Sequence, residues 1–148
     1  LIVILKQIAF DMTEALRNKE KERLTVLRSL KSALKNREIE LKNELSEEDC
    51  ITVLSRQVKS REQSIELYLQ GGRQDLADQE KFEIEIIRTY LPQPLTEAEL
   101  EKEVEETISR LQASGMKDMG PVMKDLKSRL GSRADGKILS SIVRQKLA

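Results

Sequence analysis

Apolar residues recur along this chain in three- and four-residue steps, and nowhere do they alternate over five or more positions. The pattern predicts helices and no strands. The first helix is expected from about Ile2 to Arg17, with Ile4, Ile8, Met12 and Leu16 spaced by four. A second, from about Lys19 to Asn43, places Leu27, Leu34 and Leu41 seven apart, with Leu24 and Leu30 widening the stripe. These two should pack as a hairpin. Ser46-Glu-Glu-Asp49 has the form of a capping box and opens a third helix on Ile51, Leu54, Val58, Ile65 and Tyr68, which Gly71 and Gly72 end. The fourth uses Leu76, Ile84, Ile87 and Leu91.

The run Leu91-Pro-Gln-Pro-Leu95 interrupts the helices, because each proline lacks a donor and pushes its predecessor out of helical geometry. We place the domain boundary there, giving an N-terminal helical hairpin or bundle over 1–91, a proline-containing linker over 92–95 and a small three-helix C-terminal domain over 96–148. Thr96-Glu-Ala-Glu99 reads as a second capping box before Leu100, Val104, Ile108 and Leu111. Asp118 is the expected N-cap of the sixth helix, which puts Pro121 in a first turn where its missing N–H costs nothing. Met119, Val122, Met123, Leu126 and Leu130 form that helix's stripe; Ile138, Leu139, Ile142 and Val143 form that of the seventh, from about Asp135. The expected fold class is all-α.

Composition narrows the chemistry. The 148 residues are 39% hydrophobic, 3% aromatic and 35% charged, which implies a thin aliphatic core beneath long solvated helix faces. No apolar run approaches the ~20 residues of a membrane-spanning helix. Leu1 to Leu5 are apolar, but no basic segment precedes them and no small-residue cleavage site follows, which argues against a signal peptide. With Cys50 as its one cysteine the chain has no internal disulfide, and a reducing cytoplasm is the expected location. Histidine is absent, which removes the commonest general base and, with a lone cysteine, any plausible zinc ligand set. No catalytic residues, cofactor or metal are expected. Gly131-Ser-Arg-Ala-Asp-Gly136-Lys137 has phosphate-loop spacing, but Ile138 stands where a hydroxyl would hold magnesium and a helix precedes it, so a glycine-capped turn between helices is the better reading. The start of the seventh helix could still attract an anion.

The net charge of zero conceals segregation. Residues 17–43 hold nine basic and four acidic side chains, and residues 115–148 hold eight and three, so each carries +5. Residues 96–114 hold two basic and six acidic, giving −4. Such sorting suits either a polyanionic partner or basic and acidic helices packed within one protein. On a helical wheel Lys137 and Arg144 point nearly opposite the seventh helix's apolar direction, while Lys124 and Lys127 flank the stripe of the sixth. Together with Arg133 they form the candidate RNA-binding set. Lys21, Arg28, Lys35 and Lys42, seven apart beside the leucine stripe of the second helix, form a secondary basic face. The aromatic interleaving of single-strand stacking platforms is absent, so any RNA contact should read backbone shape.

Three stretches carry a family resemblance. They are Lys21-Glu-Arg-Leu-Thr-Val-Leu-Arg28 with Leu30 and Ala33, Glu85 to Tyr90-Leu91-Pro92, and the tail Asp118-Met-Gly with Val122-Met123 and Arg133-Ala-Asp-Gly-Lys137. In order and spacing the chain resembles the GatB/YqeY family, which comprises free-standing YqeY-like proteins and the end of the B subunit of glutamine-dependent aminoacyl-tRNA amidotransferase. It departs at Pro121, where the family commonly has lysine, and in its apolar first residues. The resemblance implies a tail that binds the body of tRNA. The associated label, carbon–nitrogen ligase with glutamine as amide donor, describes a reaction on domains without counterpart here. The expectation is therefore a non-catalytic accessory protein that binds tRNA or another structured RNA. The alternative is a protein-interaction adaptor, and a part in a carbon–nitrogen ligase system comes third.

Overall fold

The computed structural model describes residues 3–148; the expected helix start at Ile2 lies outside the described residues. Among the described residues the chain is all-α, with no strand. Seven helices follow in order: α1 (Val3–Arg17), α2 (Lys21–Leu41), α3 (Glu47–Gln70), α4 (Gln74–Arg88), α5 (Glu97–Leu111), α6 (Met119–Leu130) and α7 (Gly136–Leu147). Short 3₁₀ turns at Met116–Asp118 and Gly131–Arg133 lead into α6 and α7. The chain divides into two compact units, Leu1–Leu91 and Pro92–Ala148. None of the described helices is long and apolar enough to cross a membrane.

In the first unit α3 and α4 form the most extensive helix pair, α1 packs on α2, and α2 reaches both α3 and α4. The leucine stripe of α2 makes the centre: Leu27, Leu30 and Leu34 are buried against Ile8, Leu54 and Ile87. Each such side chain contributes about 1.5–3 kcal/mol by leaving water, so Leu34→Ala should cost about 2–5 kcal/mol. Cys50 is buried in the same core, where desolvation pushes its thiol up to about 11.

The strict four-residue spacing of α1 misplaces its last member. At about 100° per residue, a step of four drifts by about 40° each time. Leu16 has therefore rotated out to 63% exposure, and Ala15, 0% exposed, takes the core position.

The ends of the helices explain where they stop. Ser46 Oγ accepts from the Asp49 N–H at 3.0 Å and the Asp49 carboxylate accepts from the Ser46 N–H at 2.9 Å, completing the capping box of α3. The bond from the Ser46 N–H, and after it the Ser46 hydroxyl beside the carboxylate, hold the Asp49 carboxyl below its ordinary range. The neighbouring Glu47 carboxylate accepts from the N–H groups of Val3 and Ile4, both at 2.9 Å, so the start of α3 caps the start of α1. At its two ends α2 is bounded by Lys19 and Lys42, whose φ values of 58° and 56° put them in the left-handed region. It is consequently shorter than the span expected from its stripe.

The second unit has three helices around one small core of Leu100, Val104, Val122, Leu126, Leu139, Ile142 and Val143. Thr96 caps α5 by accepting from the Glu99 N–H at 3.2 Å, which is half of the capping box expected there. Asp118 does not cap α6. Its carboxylate instead accepts from the Ser114 N–H at 2.9 Å, and the preceding 3₁₀ turn leads directly into the helix. Ile138, expected in the stripe of α7, is 47% exposed, whereas Leu147 is buried at 7%. The core of α7 is centred on Leu139, Ile142 and Val143, and a residue one position before Leu139 lies about 100° off that direction. The segment Pro92–Leu95 belongs with this unit: the Leu95 N–H donates to the Arg133 carbonyl at 2.9 Å.

Candidate functional site

Helices α6 and α7 are joined by a tight turn in which Gly131 adopts φ 54°, a conformation that side chains with a Cβ disfavour. Asp135 then caps α7, its carboxylate accepting from the N–H groups of Lys137 at 2.8 Å and Ile138 at 3.2 Å. This corrects the expectation of an anion site there, since a carboxylate already occupies the donors an anion would use.

Along the outer face of the two helices runs an open groove of about 550 Å³ lined by Met119, Met123, Lys127, Gly136, Lys137, Ser140 and Arg144. The two methionines are half-buried. Packed against the core beneath, they give the groove an apolar floor that can adapt its shape. Gly136 and the small Ser140 keep the α7 side low. Lys127, Lys137 and Arg144 are exposed along the lining, and none of the three has a carboxylate partner among the described residues.

Two other cations of these helices, Arg129 and Lys146, are paired with carboxylates, whereas Lys124 has no carboxylate partner among the described residues. Arg129 on α6 meets Asp125 at 2.9 Å and Glu103 on α5 at 3.0 Å, and Asp125 also receives Arg110 from α5. Lys146 on α7 meets Glu105 on α5 at 2.7 Å. The bond from Arg129, before that from Arg110, holds the Asp125 carboxyl below its usual range, and the bond to Glu105 raises the Lys146 ammonium. Lys127 and Arg129 are two residues apart, as are Arg144 and Lys146, so each pair straddles its helix by about 200°. One side of α6 and α7 is bound to α5; the other is the groove.

Of the basic residues singled out from sequence, the structure brings Lys127, Lys137 and Arg144 together and separates the rest. Lys124 is exposed but does not line the groove. Arg133 is engaged elsewhere, donating from Nε to the Gln93 carbonyl at 3.2 Å. The α2 set lies in the first unit: Lys21 begins the helix, Arg28 is exposed, Lys35 pairs with Glu38 at 3.6 Å, and Lys42 turns the chain out of the helix. Sequence reasoning assigned Met119 and Met123 to the buried stripe. Their four-residue spacing on the lysine side of that stripe was the available signal for a groove floor. It also missed Thr107, which is fully buried, and whose hydroxyl donates to the Glu103 carbonyl and accepts from Arg129.

Residues 5–147 match the family described as Yqey-like protein. The chain belongs to the YqeY-like family. Among curated relatives, the protein from Lachancea thermotolerans called "Altered inheritance of mitochondria protein 41, mitochondrial" is 36% identical over 107 residues, covering 70% of this chain and 57% of the relative. The protein of that name from Saccharomyces cerevisiae is 31% identical over 102 residues, covering 68% and 54%. In Pyrenophora tritici-repentis the match extends to 134 residues at 25% identity, or 89% and 74%. The chain thus spans under three-fifths of the length of the first two relatives.

These likenesses correct two expectations. The relatives just described are named for altered inheritance of mitochondria and not for an amidotransferase, so the reading as a tRNA-binding accessory of the amidotransferase type is withdrawn. The relatives' names place them in mitochondria, which overturns the argument for a cytoplasmic location from a lone free cysteine. A reduced thiol records burial and the lack of a partner; it does not distinguish one compartment from another.

Proposed function

We propose that this YqeY-like chain is a protein-docking module that acts in mitochondria, in the process its relatives' name indicates, and that the α6–α7 groove is where its partner sits. The observation that carries the reading is that three cations without a carboxylate partner among the described residues gather around one groove with two methionines in its lining. Arg110, Arg129 and Lys146 are paired with carboxylates. Among the described residues Lys127, Lys137 and Arg144, around the methionine floor, are not, and neither is Lys124, which lies outside the groove. A partly buried apolar floor bordered by charge is an arrangement that suits a protein contact: the floor supplies burial, and the rim supplies orientation and specificity.

The test is photo-crosslinking in cells from a reactive residue replacing Ser140 in the full-length protein. A discrete protein adduct in the mitochondrial fraction, lost when Lys137 and Arg144 are both changed to Glu, is the expected result. Cells relying on that double variant at normal abundance should also transmit mitochondria abnormally. Adducts with nucleic acid or lipid alone, or no adduct at all, would overturn the reading.

A further inference from the structure

The groove's occupant can be described from the other face of the same two helices. There α5 lies against α6 and α7 as an amphipathic helix, with Leu100, Val104 and Ile108 set against the shared core. Glutamates beside that stripe reach a cation on each neighbour: Glu103 to Arg129 on α6 and Glu105 to Lys146 on α7. The outer face repeats the receiving half of this arrangement. Met119 and Met123 stand where apolar contact is made, Lys127 projects from α6, and Lys137 and Arg144 project from α7.

We propose that the groove binds an acidic amphipathic helix of a partner protein, one that resembles α5 in pattern, with an aliphatic stripe for the methionine floor and glutamate or aspartate on both flanks. This rests on the docking function proposed above and specifies its ligand. Charge complementarity selects the sign, since three unpartnered cations would repel a basic helix and gain nothing from a neutral one. The dimensions agree. Twelve-residue helices such as α6 and α7 are about 18 Å long, enough to seat about three turns of an incoming helix with anchors at i, i+3 or i+4, and i+7. The methionines are half-buried, so they offer a seat for another protein's side chains and little apolar area to insert into a bilayer.

The probe is a fluorescent, end-blocked peptide of roughly 18 residues, long enough to be partly helical alone, carrying leucines at those spacings flanked by glutamates. It would be titrated with the full chain. Binding in the micromolar range that weakens with salt is expected, together with a loss of about tenfold or more on changing Lys137 and Arg144 to Glu. Lys21→Glu, in the other unit, should bind unchanged. A peptide with the same glutamates but serine for leucine should bind at least tenfold more weakly. If it binds equally well, the occupant is not an amphipathic helix. If vesicles of anionic phospholipid compete fully and with the same dependence on Lys137 and Arg144, the site takes a lipid surface and the proposal is overturned. Failure of the peptide to bind overturns the helix proposal alone, because the Ser140 crosslink tests docking independently of what the partner looks like.

Discussion

Arg129 donates from Nη2 to the Thr107 hydroxyl at 2.6 Å, joining α6 to a fully buried polar side chain of α5. The hydroxyl also donates to the Glu103 carbonyl of its own helix at 2.8 Å, so both of its hydrogen-bonding capacities are used within the core. The same guanidinium holds Glu103 and Asp125, which makes Arg129 the hub of the α5–α6 interface. Its role is structural, whereas Lys127, one turn-half away, is left for the groove.

Thr107→Val keeps the shape of the side chain but leaves the guanidinium short of one acceptor. We expect a loss of about 1–3 kcal/mol in chemical denaturation of the full chain, with faster amide exchange in α5 and α6. Unchanged stability would show that the hydroxyl is replaceable by water.

Glu47 bonds two N–H groups at the start of α1, where no residue of α1 itself can serve them. Glu47→Ala should destabilise the first unit by about 0.5–2 kcal/mol and accelerate exchange at Val3 and Ile4. Glu47→Gln should lose less, since an acceptor oxygen remains. Equal exchange in all three proteins would refute the cap.

Tyr90, at the end of the α4 segment, donates its hydroxyl to Asp11 of α1 and is buried. Burial first, then that hydrogen bond to a carboxylate, raises its phenol above the ordinary value. A raised folded pKa means that the fold favours the protonated group. The corresponding stability is complete below the unfolded value of about 10 and is lost as pH rises above it. The Cys50 thiol, at about 11 in the fold, adds a component in the same direction that begins near pH 8.5. Stability should therefore fall at alkaline pH, and Tyr90→Phe should flatten the part of the loss above about pH 10. A variant with an unaltered alkaline profile would rule out the tyrosine.

Arg133 bonds the Gln93 carbonyl from its side chain, and its own carbonyl receives the Leu95 N–H. Arg133→Ala removes only the first bond. Limited proteolysis should then cut between Pro92 and Leu95 faster than in the wild type, before any cut within α2 or α6. If the variant is nicked at the wild-type rate, the side chain does not restrain the segment.

The sequence by itself determined the helical character of the chain, because helix periodicity, caps and proline breaks are local properties. Ser46 with Asp49 is one example, complete within four residues. It located the leucine stripe of α2 and the family for the same reason: both are patterns along the chain. Tertiary structure alone decided which polar side chains are engaged. Arg133 and Lys137 look equivalent in the sequence, but Arg133 reaches a carbonyl forty residues away while Lys137 lines a groove. Glu47 gives no sign of capping a helix that begins forty-four residues before it. Leu16 and Ile138 face solvent because a small rotational offset carries a flanking position out of the core, and a helix's rotation is fixed by the neighbours it packs against. The site emerged in the same way, since opposite faces of α6 and α7 are distinguishable only once α5 covers one of them.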